Sequence, residues 1–540
     1  MDLVESGIHP AEALPTEILS LSERSFVGPS AWLQMQNQLL PSAWSVPAVQ
    51  ELAEGFNLLS QAAKQGGIRE LETLMLALAV FARGISADQA RAIVCCADHQ
   101  ASVDELTLIL SADGGNAEWL IPAVSIPYSV PDARALTGCR PCNAYFSMPD
   151  YWRVGERMLT LIHDKFPHWN GSPVRPFAAI AEATSVRNDL STRLKHALCA
   201  KDADSAEHLA TRFTLSRIGK VLFQCVINVT GGDPVPATYL TMQTHPSGEV
   251  TRYYDSPSVR RLQAIERNVC ESFAREFAAL QCDLTPDLTV SPTADSGYIG
   301  SPLCPERAAL ESVIAENRRL VLEANERMRN NGSIKDVIVR HNAYTVYNYI
   351  GATLGTSHRP TLGGIPAIET IDEETGLAAV ADKGAHKARL IPVADSALLQ
   401  MRAYRAYVES FEWARYFADD LPSRLFFIDD DARPVPVSPA TLKGTIPFVA
   451  NFARHYLRTI LAERWYGGEK SLSPEQVSAL LGHASVGEQP YGPHSSFDYR
   501  EFCKQSREAL ALILNDLDFY PILVDGTRIF PGAIAIERIR

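Results

Sequence analysis

The sequence predicts a multidomain chain that is mainly α-helical with a small β-sheet, in which a C-terminal α+β domain follows one or more helical domains. The chain has 540 residues, 46% of them hydrophobic, which is more than a single hydrophobic core ordinarily serves. Helical spacing of apolar residues recurs along the chain, whereas the alternation typical of strands is clearest over residues 376–394. We therefore predict three parts, residues 1–255, 256–340 and 341–540.

Residues 1–255 are expected to be mostly helical. The stretch Ile68–Arg83 has helical periodicity with a dense apolar face. Ala203–Val229 is predicted as a second amphipathic helix, ending at Gly231-Gly232, and a proline-rich loop section lies between the two. No role can be assigned to this part from its residues, although its acidity permits an interaction with other proteins.

Residues 256–340 are predicted to form two helices, Val259–Leu280 and Pro305–Arg329, joined by a linker rich in Pro, Ser, Thr and Asp. Arginines recur along both helices and would suit a DNA backbone, as in a DNA-clamping domain. Glutamates interleave with these arginines, so a solvated helix face with internal ion pairs is the alternative interpretation.

Residues 341–540 have the clearest pattern of elements. A helix over Asn342–Gly355 leads into His358-Arg359-Pro360, and a strand pair over 376–394 turns at Gly384. Further helices are predicted over Ala397–Phe417, over Val449–Glu463, from the Ser473-Pro474 start to Gly482-His483, and over Ser506–Leu517.

Charge and composition exclude some classes of protein. The N-terminus "MDLVESG" lacks the regions of a signal peptide, no apolar run is long enough to cross a bilayer, and the ten cysteines are scattered, so we expect a reduced, cytoplasmic protein. The net charge of −13 lowers the expectation of strong non-specific DNA binding. It does not exclude DNA as a partner, because a local basic channel can exist on an acidic protein.

Six residues in the C-terminal third indicate a reaction. Metal-free cleavage of a phosphodiester needs guanidinium groups on the non-bridging oxygens, a proton donor for the leaving oxygen, imidazoles around the phosphate and a hydroxyl nucleophile. The fragments "GTSHRP", "VADKGAHKARLIPV", "RHYLRT", "LLGHAS" and "EQPYGPHS" supply these groups, in the order Arg, Lys, His-x-x-Arg, His, Tyr along the chain. The six candidates are Arg359, Lys383, His455, Arg458, His483 and Tyr491.

With these motifs, residues from about 340 to 505 resemble the catalytic domain of tyrosine recombinases, the phage-integrase family. An arginine follows a helix in "GTSHRP", "KGAHKARLIP" fits the family's Lys-Gly-x-x-Lys-x-Arg-x-x-Pro hairpin, "HYLR" fits its His-x-Leu-Arg box, and "LGH" fits its Leu-Gly-His box. Each match alone is weak, but all of them in the family's order are specific. The resemblance covers roughly a third of the chain.

The resemblance implies a role for each residue. Arg359 and Arg458 would clamp the scissile phosphate, with ion pairs to nearby carboxylates as the structural alternative. Lys383 would protonate the 5′ leaving oxygen, with Lys387 as its nearest competitor. His455 would accept the tyrosine proton or bind the phosphate, and His483 would donate to a non-bridging oxygen; a capping or packing role is the alternative for both histidines.

The sequence allows three hypotheses for the nucleophile. Tyr491 comes eight residues after His483, where the family usually has about nine, and its flanking residues depart from the usual Thr-x-x-Tyr-x-His. Tyr499 is an alternative nucleophile. A chain that has lost its nucleophile is the third hypothesis.

For the whole protein, the resemblance implies a site-specific recombinase or integrase that cleaves and rejoins double-stranded DNA through a 3′-phosphotyrosyl link. Family members act as a tetramer on DNA, so the resemblance implies assembly with further copies of this chain or with partner recombinases. Ser506–Leu517 would be the helix that docks onto a neighbour. We expect no cofactor and no metal, since nucleotide-binding and metalloprotease motifs are missing and Cys139-x-x-Cys142 has no second pair at zinc-site spacing. The alternatives are a degenerate recombinase that binds DNA as a regulator or structural partner, and a type IB topoisomerase-like relaxing enzyme.

Overall fold

The computed structural model describes the chain over residues 45–97, 105–111, 117–123, 136–178, 192, 203–243, 251–293, 297–330, 332–360, 371–372, 374–380, 389–410, 425–469, 471–483 and 497–524. It is mainly helical, with 56% helix, 11% strand and three small sheets. The prediction of a mainly α-helical chain with little β-structure is confirmed. No helix of the described ranges is both long and apolar enough to cross a membrane.

The first half of the described chain contains nine helices and four strands. The helices are α1 (Val49–Gln65), α2 (Ile68–Arg83), α3 (Ala87–Arg91), α4 (Val154–Lys165), α5 (Ala203–Arg212), α6 (Leu215–Ile218), α7 (Val221–Val229), α8 (Pro234–Thr241) and α9 (Val259–Ala279). The strands are β1 (Val94–Cys96), β2 (Thr107–Ile109), β3 (Glu118–Pro122) and β4 (Tyr145–Pro149).

Seven helices and five short strands follow in the second half of the described residues. The helices are α10 (Arg307–Arg329), α11 (Ile334–Thr356), α12 (Asp395–Ser410), α13 (Pro439–Leu442), α14 (Phe452–Tyr466), α15 (Pro474–Leu481) and α16 (Tyr499–Asp516). The strands are β5 (Ile371–Asp372), β6 (Leu377–Val380), β7 (Arg389–Pro392), β8 (Phe426–Ile428) and β9 (Pro434–Pro436).

Most of the predicted helices are present, and Ile68–Arg83 has its expected bounds. The helix predicted to begin at Asn342 begins earlier, at Ile334. The helix predicted over Ala203–Val229 is wrong as a single element, because the chain breaks it into α5, α6 and α7. Thr214 is extended, with φ −118° and ψ 151°, which interrupts the helix before α6. Gly219 ends α6, where an added Cβ would lie 2.7 Å from the carbonyl oxygen of Ile85. The helix predicted to begin at Ser506 begins seven residues earlier, at Tyr499.

The strands form three separate sheets. In the order β1-β2-β3-β4, β1 and β2 are parallel and the other neighbours are antiparallel. The order β5-β6-β7 is antiparallel throughout, as is the β8-β9 pair. The predicted strand pair over 376–394 corresponds to β6 and β7, with Leu377 opposite Pro392. Its turn, at Gly384, lies outside the described residues.

Buried apolar side chains form two large cores. One extends from Leu52 to Ile299 in sequence and the other from Cys304 to Val524. α9 contributes to the first core and α10 to the second. The predicted boundaries at residues 255 and 340 stay predictions.

α14 belongs to the second core and also contacts the first half of the chain along its length. The hydroxyl of Thr459 accepts a hydrogen bond from the Ser256 amide at 3.0 Å. Nη1 of Arg140 lies 2.6 Å from Oε1 of Glu463. Since α14 carries the predicted His-x-x-Arg box, the two halves of the chain meet at this box.

A buried ion pair tests the packing of the first half of the chain, which α14 contacts. Arg83 and Glu266 lie 2.6 Å apart, with 1% and 2% of their side chains exposed. We expect Glu266→Ala to lower the free energy of unfolding by about 3–5 kcal/mol, because the guanidinium stays buried without its carboxylate. Circular dichroism during denaturant and thermal unfolding measures the loss.

Glu271→Ala is the matched control on the same helix. Its carboxylate pairs with Arg267 at 3.1 Å but is 46% exposed, so its loss should cost about 0–1 kcal/mol. Equal losses in the two variants would contradict the importance of the buried pair.

Candidate active site

The candidate active site lies where the C-terminal ends of α11 and α15 approach each other. α11 ends before Ser357, which has a left-handed φ of 54°, and Arg359 follows two residues later. α15 ends before Gly482, whose φ of 65° is the left-handed conformation that favours glycine after a helix. The hydroxyl of Ser357 donates to the Leu480 carbonyl at 3.0 Å. The helix ends that precede Arg359 and His483 are therefore neighbours in space.

Arg454, at the start of α14, joins these two ends and is fully buried. Its Nη1 donates to the Ser357 carbonyl at 3.1 Å, and its Nη2 donates to the Leu481 carbonyl at 2.5 Å. The same Nη2 lies 3.0 Å from Nε2 of His483. A guanidinium suits this place, because the final carbonyls of a helix lack intrahelical partners and carry partial negative charge.

Tyr254, from the first half of the chain, lies at the centre of the cluster. Its ring is nearly parallel to that of His483, with centroids 5.2 Å apart, and its centroid lies 4.9 Å from that of His455. The guanidinium carbons of Arg454 and Arg359 lie 5.0 and 5.9 Å from the ring centroid. Nη2 of Arg359 also donates to the Tyr254 hydroxyl. Two arginines and two histidines therefore surround one position.

His455 is buried and electrically neutral. Its Nδ1 forms a hydrogen bond with the Ser301 hydroxyl at 2.7 Å. Burial, reinforced by the charges of Arg454 and Arg359, lowers the pKa of its imidazole to about 3. Its Nε2 is buried and has no hydrogen-bond partner among the described residues. The cluster therefore contains a neutral imidazole with one ring nitrogen available.

His483 must also present a lone pair on one nitrogen. An arginine can only donate, so Nε2 of His483 accepts from Arg454 and the proton of the neutral ring lies on Nδ1. Unlike the buried Arg454 and His455, His483 and Arg359 are partly exposed. The cluster therefore reaches the surface at these two residues.

Arg458 makes its charged contacts elsewhere. Its Nη2 lies 2.6 Å from Oδ2 of Asp233 and 3.3 Å from Oδ2 of Asp255, and all three side chains are at most 2% exposed. The Tyr466 hydroxyl donates to the same oxygen of Asp233 at 3.1 Å, and Arg261 lies 3.9 Å from it. This is the ion-pair alternative that the sequence left open, and a role for Arg458 on a phosphate stays a prediction.

The two carboxylates beside Arg458 are not equivalent. Burial alone would raise the pKa of Asp233, but the Arg458 and Arg261 charges and the hydrogen bond from Arg458 together lower it. Burial raises the pKa of Asp255, and the nearby Arg458 offsets this only in part. Asp233 is therefore the firmer anionic partner of Arg458.

The remaining predicted residues cannot be placed beside this cluster. Lys383 and its competitor Lys387 lie outside the described residues, as does Tyr491. Tyr499 opens α16, where the centroid of its ring lies 6.1 Å from that of Phe502. The alternatives for the nucleophile therefore stay open.

Cys139 and Cys142 are reduced and are not joined in a disulfide. Burial raises the pKa of both. The hydroxyl of Ser256 lies 3.5 Å from the Cys142 sulfur. In the part of the chain that the structure describes, no group of three or more His, Cys, Asp or Glu side chains is placed to hold a metal ion.

Arg454, Tyr254 and Ser301 belong to the cluster but are not among the residues that the sequence predicts for it. Arg454 directly precedes the His-x-x-Arg box, and its four-residue separation from Arg458 puts both arginines on one side of a helix. That spacing marks two candidates and does not choose between them. Tyr254 and Ser301 lie more than 150 residues before His455 in sequence, and no motif connects them to it.

The buried imidazole predicts a pH dependence of stability. The folded pKa of His455, about 3, is below the usual value of 6.5, so the unfolded chain binds a proton that the folded protein does not. Stability is therefore lost as the pH falls through about 6.5. From about pH 7 to about pH 5, we expect the wild type to lose about 2 kcal/mol more than His455→Gln, measured by denaturant unfolding at each pH. Parallel pH curves for the two proteins would contradict a buried neutral imidazole.

A double-mutant cycle tests the anchoring of Arg458. Asp233→Asn and Arg458→Gln should show a coupling free energy of about 2–3 kcal/mol, because both groups are buried and each is the other's main charged partner. Denaturant unfolding of both single variants and the double variant gives this energy. The exposed pair Arg405 and Glu409, 2.8 Å apart, is the control and should couple by about 0.3–0.5 kcal/mol. A buried coupling no larger than this control would show that Arg458 is not held by Asp233.

Comparison of the chain with protein-family models, with curated proteins and with solved structures finds no match. A function is therefore inferred from the residues of the cluster and from the motifs that place them.

Proposed function

We propose that this protein transfers phosphodiester bonds in DNA, as a site-specific recombinase or integrase with a tyrosine nucleophile. The observation that carries the proposal is the convergence of Arg359, Arg454, His455 and His483 around one position. These residues come from the ends of three helices, of which α11 is far in sequence from α14 and α15. Guanidinium and imidazole groups converging in this way suit a phosphodiester anion and the charge that develops on it during transfer.

In the proposed site, Arg359 and Arg454 hold the non-bridging oxygens. The sequence motif assigned this second role to Arg458, but Arg454 shares contacts with His483 and Tyr254, whereas Arg458 is paired with Asp233. Bonds to two helix ends fix the Arg454 guanidinium in place, which reduces the reorganisation needed when charge develops on a phosphate.

The proposed transfer conserves atoms and charge. The phenol oxygen of the tyrosine bonds to phosphorus as the bond to the 5′ oxygen breaks, and the leaving oxygen takes a proton from Lys383. The phenol proton passes to Nε2 of the neutral His455, in the tautomer whose Nδ1 donates its proton to the Ser301 hydroxyl. This Nε2 has no hydrogen-bond partner among the described residues. The low pKa makes this imidazole a weak base in the free protein. The negative charge of a bound phosphodiester raises the pKa of the imidazole and makes it a stronger base.

Double-stranded DNA is the proposed partner, and a tetramer of this chain on DNA is the proposed assembly. The nucleophile is proposed to be Tyr491, with Tyr499 as the alternative. A degenerate protein that binds DNA as a regulator or structural partner would lack this reaction, whereas a type IB topoisomerase-like enzyme would relax DNA without a specific site.

Covalent capture tests the reaction. The protein is expressed with its flanking genomic DNA and denatured, and attached DNA is mapped to a tyrosine by mass spectrometry. We expect an adduct in the wild type that is lost in Tyr491→Phe and kept in Tyr499→Phe. Arg454→Lys should slow adduct formation by about 100-fold to 1000-fold, because a lysine keeps the charge and loses the guanidinium fork.

Arg458→Lys is the matched control, since it makes the same change one helical turn later on α14. Among variants shown by circular dichroism to be folded, its rate should stay within about tenfold of the wild type. A larger loss in Arg458→Lys than in Arg454→Lys would return the clamping role to Arg458. No adduct at any tyrosine, with DNA binding intact, would favour the degenerate protein.

A further inference from the structure

We propose that Tyr254 is an autoinhibitory plug, which occupies the phosphate position of the candidate active site and must withdraw before DNA binds. The plug regulates the site of the proposed function and so rests on that function. Tyr254 comes from the first half of the chain and is 2% exposed, although two of the groups around it, Arg359 and His483, reach the surface.

The contacts of Tyr254 use the groups that a phosphate would need. Arg359 donates to its hydroxyl, and Arg454 lies over its ring at 5.0 Å. One face of the ring packs against His483, and His455 lies 4.9 Å away between centroids. With the ring in this position, a phosphodiester cannot approach Arg359 and Arg454 together.

The plug is also a weaker ligand than the group it excludes. A neutral phenol oxygen accepts a single charge-assisted hydrogen bond from Arg359, whereas a phosphodiester anion can accept from both guanidinium groups. Phosphate therefore has the larger interaction energy once the ring has moved. This difference lets a substrate displace the plug, and it lowers the apparent affinity for phosphate while the ring is in place.

A short turn holds Tyr254 in position. The Ser301 amide donates to the Asp255 carbonyl at 2.8 Å, and the Ser256 amide donates to the Thr459 hydroxyl at 3.0 Å. The Asp255 carboxylate lies 3.3 Å from Arg458, but neither of its oxygens accepts a hydrogen bond among the described residues. An incompletely satisfied buried carboxylate is a costly anchor, so this turn is poised to release.

Measuring the affinity for phosphate tests the plug independently of catalysis. Inorganic phosphate is titrated into the full-length wild type, Tyr254→Ala and Tyr254→Phe by isothermal titration calorimetry. We expect Tyr254→Ala to bind at least about tenfold more tightly than the wild type. Tyr254→Phe should gain less, because it loses the hydroxyl bond to Arg359 and keeps the ring. Adding Arg359→Ala to Tyr254→Ala should remove the gain.

Hydrogen exchange on the wild-type protein gives a second measurement, which needs no variant to fold. The amides of residues 254–256 donate within the turn or to Thr459. A short random-sequence DNA duplex should make these amides exchange faster, and unchanged or slower exchange would overturn the plug.

The outcomes distinguish this inference from the proposed function. Tighter phosphate binding by Tyr254→Ala, with no covalent adduct on any tyrosine, would support the plug and defeat the transfer reaction. Equal phosphate affinity, with a normal adduct at Tyr491 or Tyr499, would overturn the plug and leave the reaction standing. DNA attached to Tyr254 itself would also overturn the plug, since that tyrosine would then be the nucleophile.

Discussion

The hydrogen bonds from Arg454 to the carbonyls of Ser357 and Leu481 hold the candidate site together. Each carbonyl lies at the end of a helix, where no intrahelical amide is available, so one buried guanidinium satisfies two helix ends. Arg359 and His483 follow these ends directly, and their spacing therefore depends on Arg454. A side chain with this structural task is also rigid enough to bind a ligand without reorganising.

α14 connects the first half of the chain to this site. Successive positions of the helix serve different tasks: Arg454 supports the helix ends, His455 contacts Ser301, and Arg458 pairs with Asp233. Buried charges of this kind cost desolvation energy, which only well-placed partners offset. A shift of the first half relative to α14 would leave these charges unpaired, so the two cores cannot separate without disturbing the site.

The sequence predicted those parts of the fold that depend on local pattern. The helical spacing of apolar residues predicts α2, α9 and α10. Ser473 and Gly482 mark the start and the end of α15. It did not predict the break in Ala203–Val229, because the extended Thr214 and the close approach of Gly219 to Ile85 depend on tertiary packing.

The choice between Arg454 and Arg458 shows the same limit at the site. Both arginines lie on one side of α14, and only their partners differ. Arg458 pairs with Asp233, which is 225 residues away in sequence, so no spacing rule within the motif could identify the pair.

Two adjacent residues of the first half contact different arginines of α14. Asp255 lies beside Arg458, whereas the phenol of Tyr254 lies among Arg359, Arg454 and His483. A carboxylate in the place of the phenol would compete with phosphate as an anion, whereas a neutral phenol fills the position and still yields to one. Because the carboxylate belongs to Asp255 and the neutral phenol to Tyr254, the site is closed by a group that a substrate phosphate can displace.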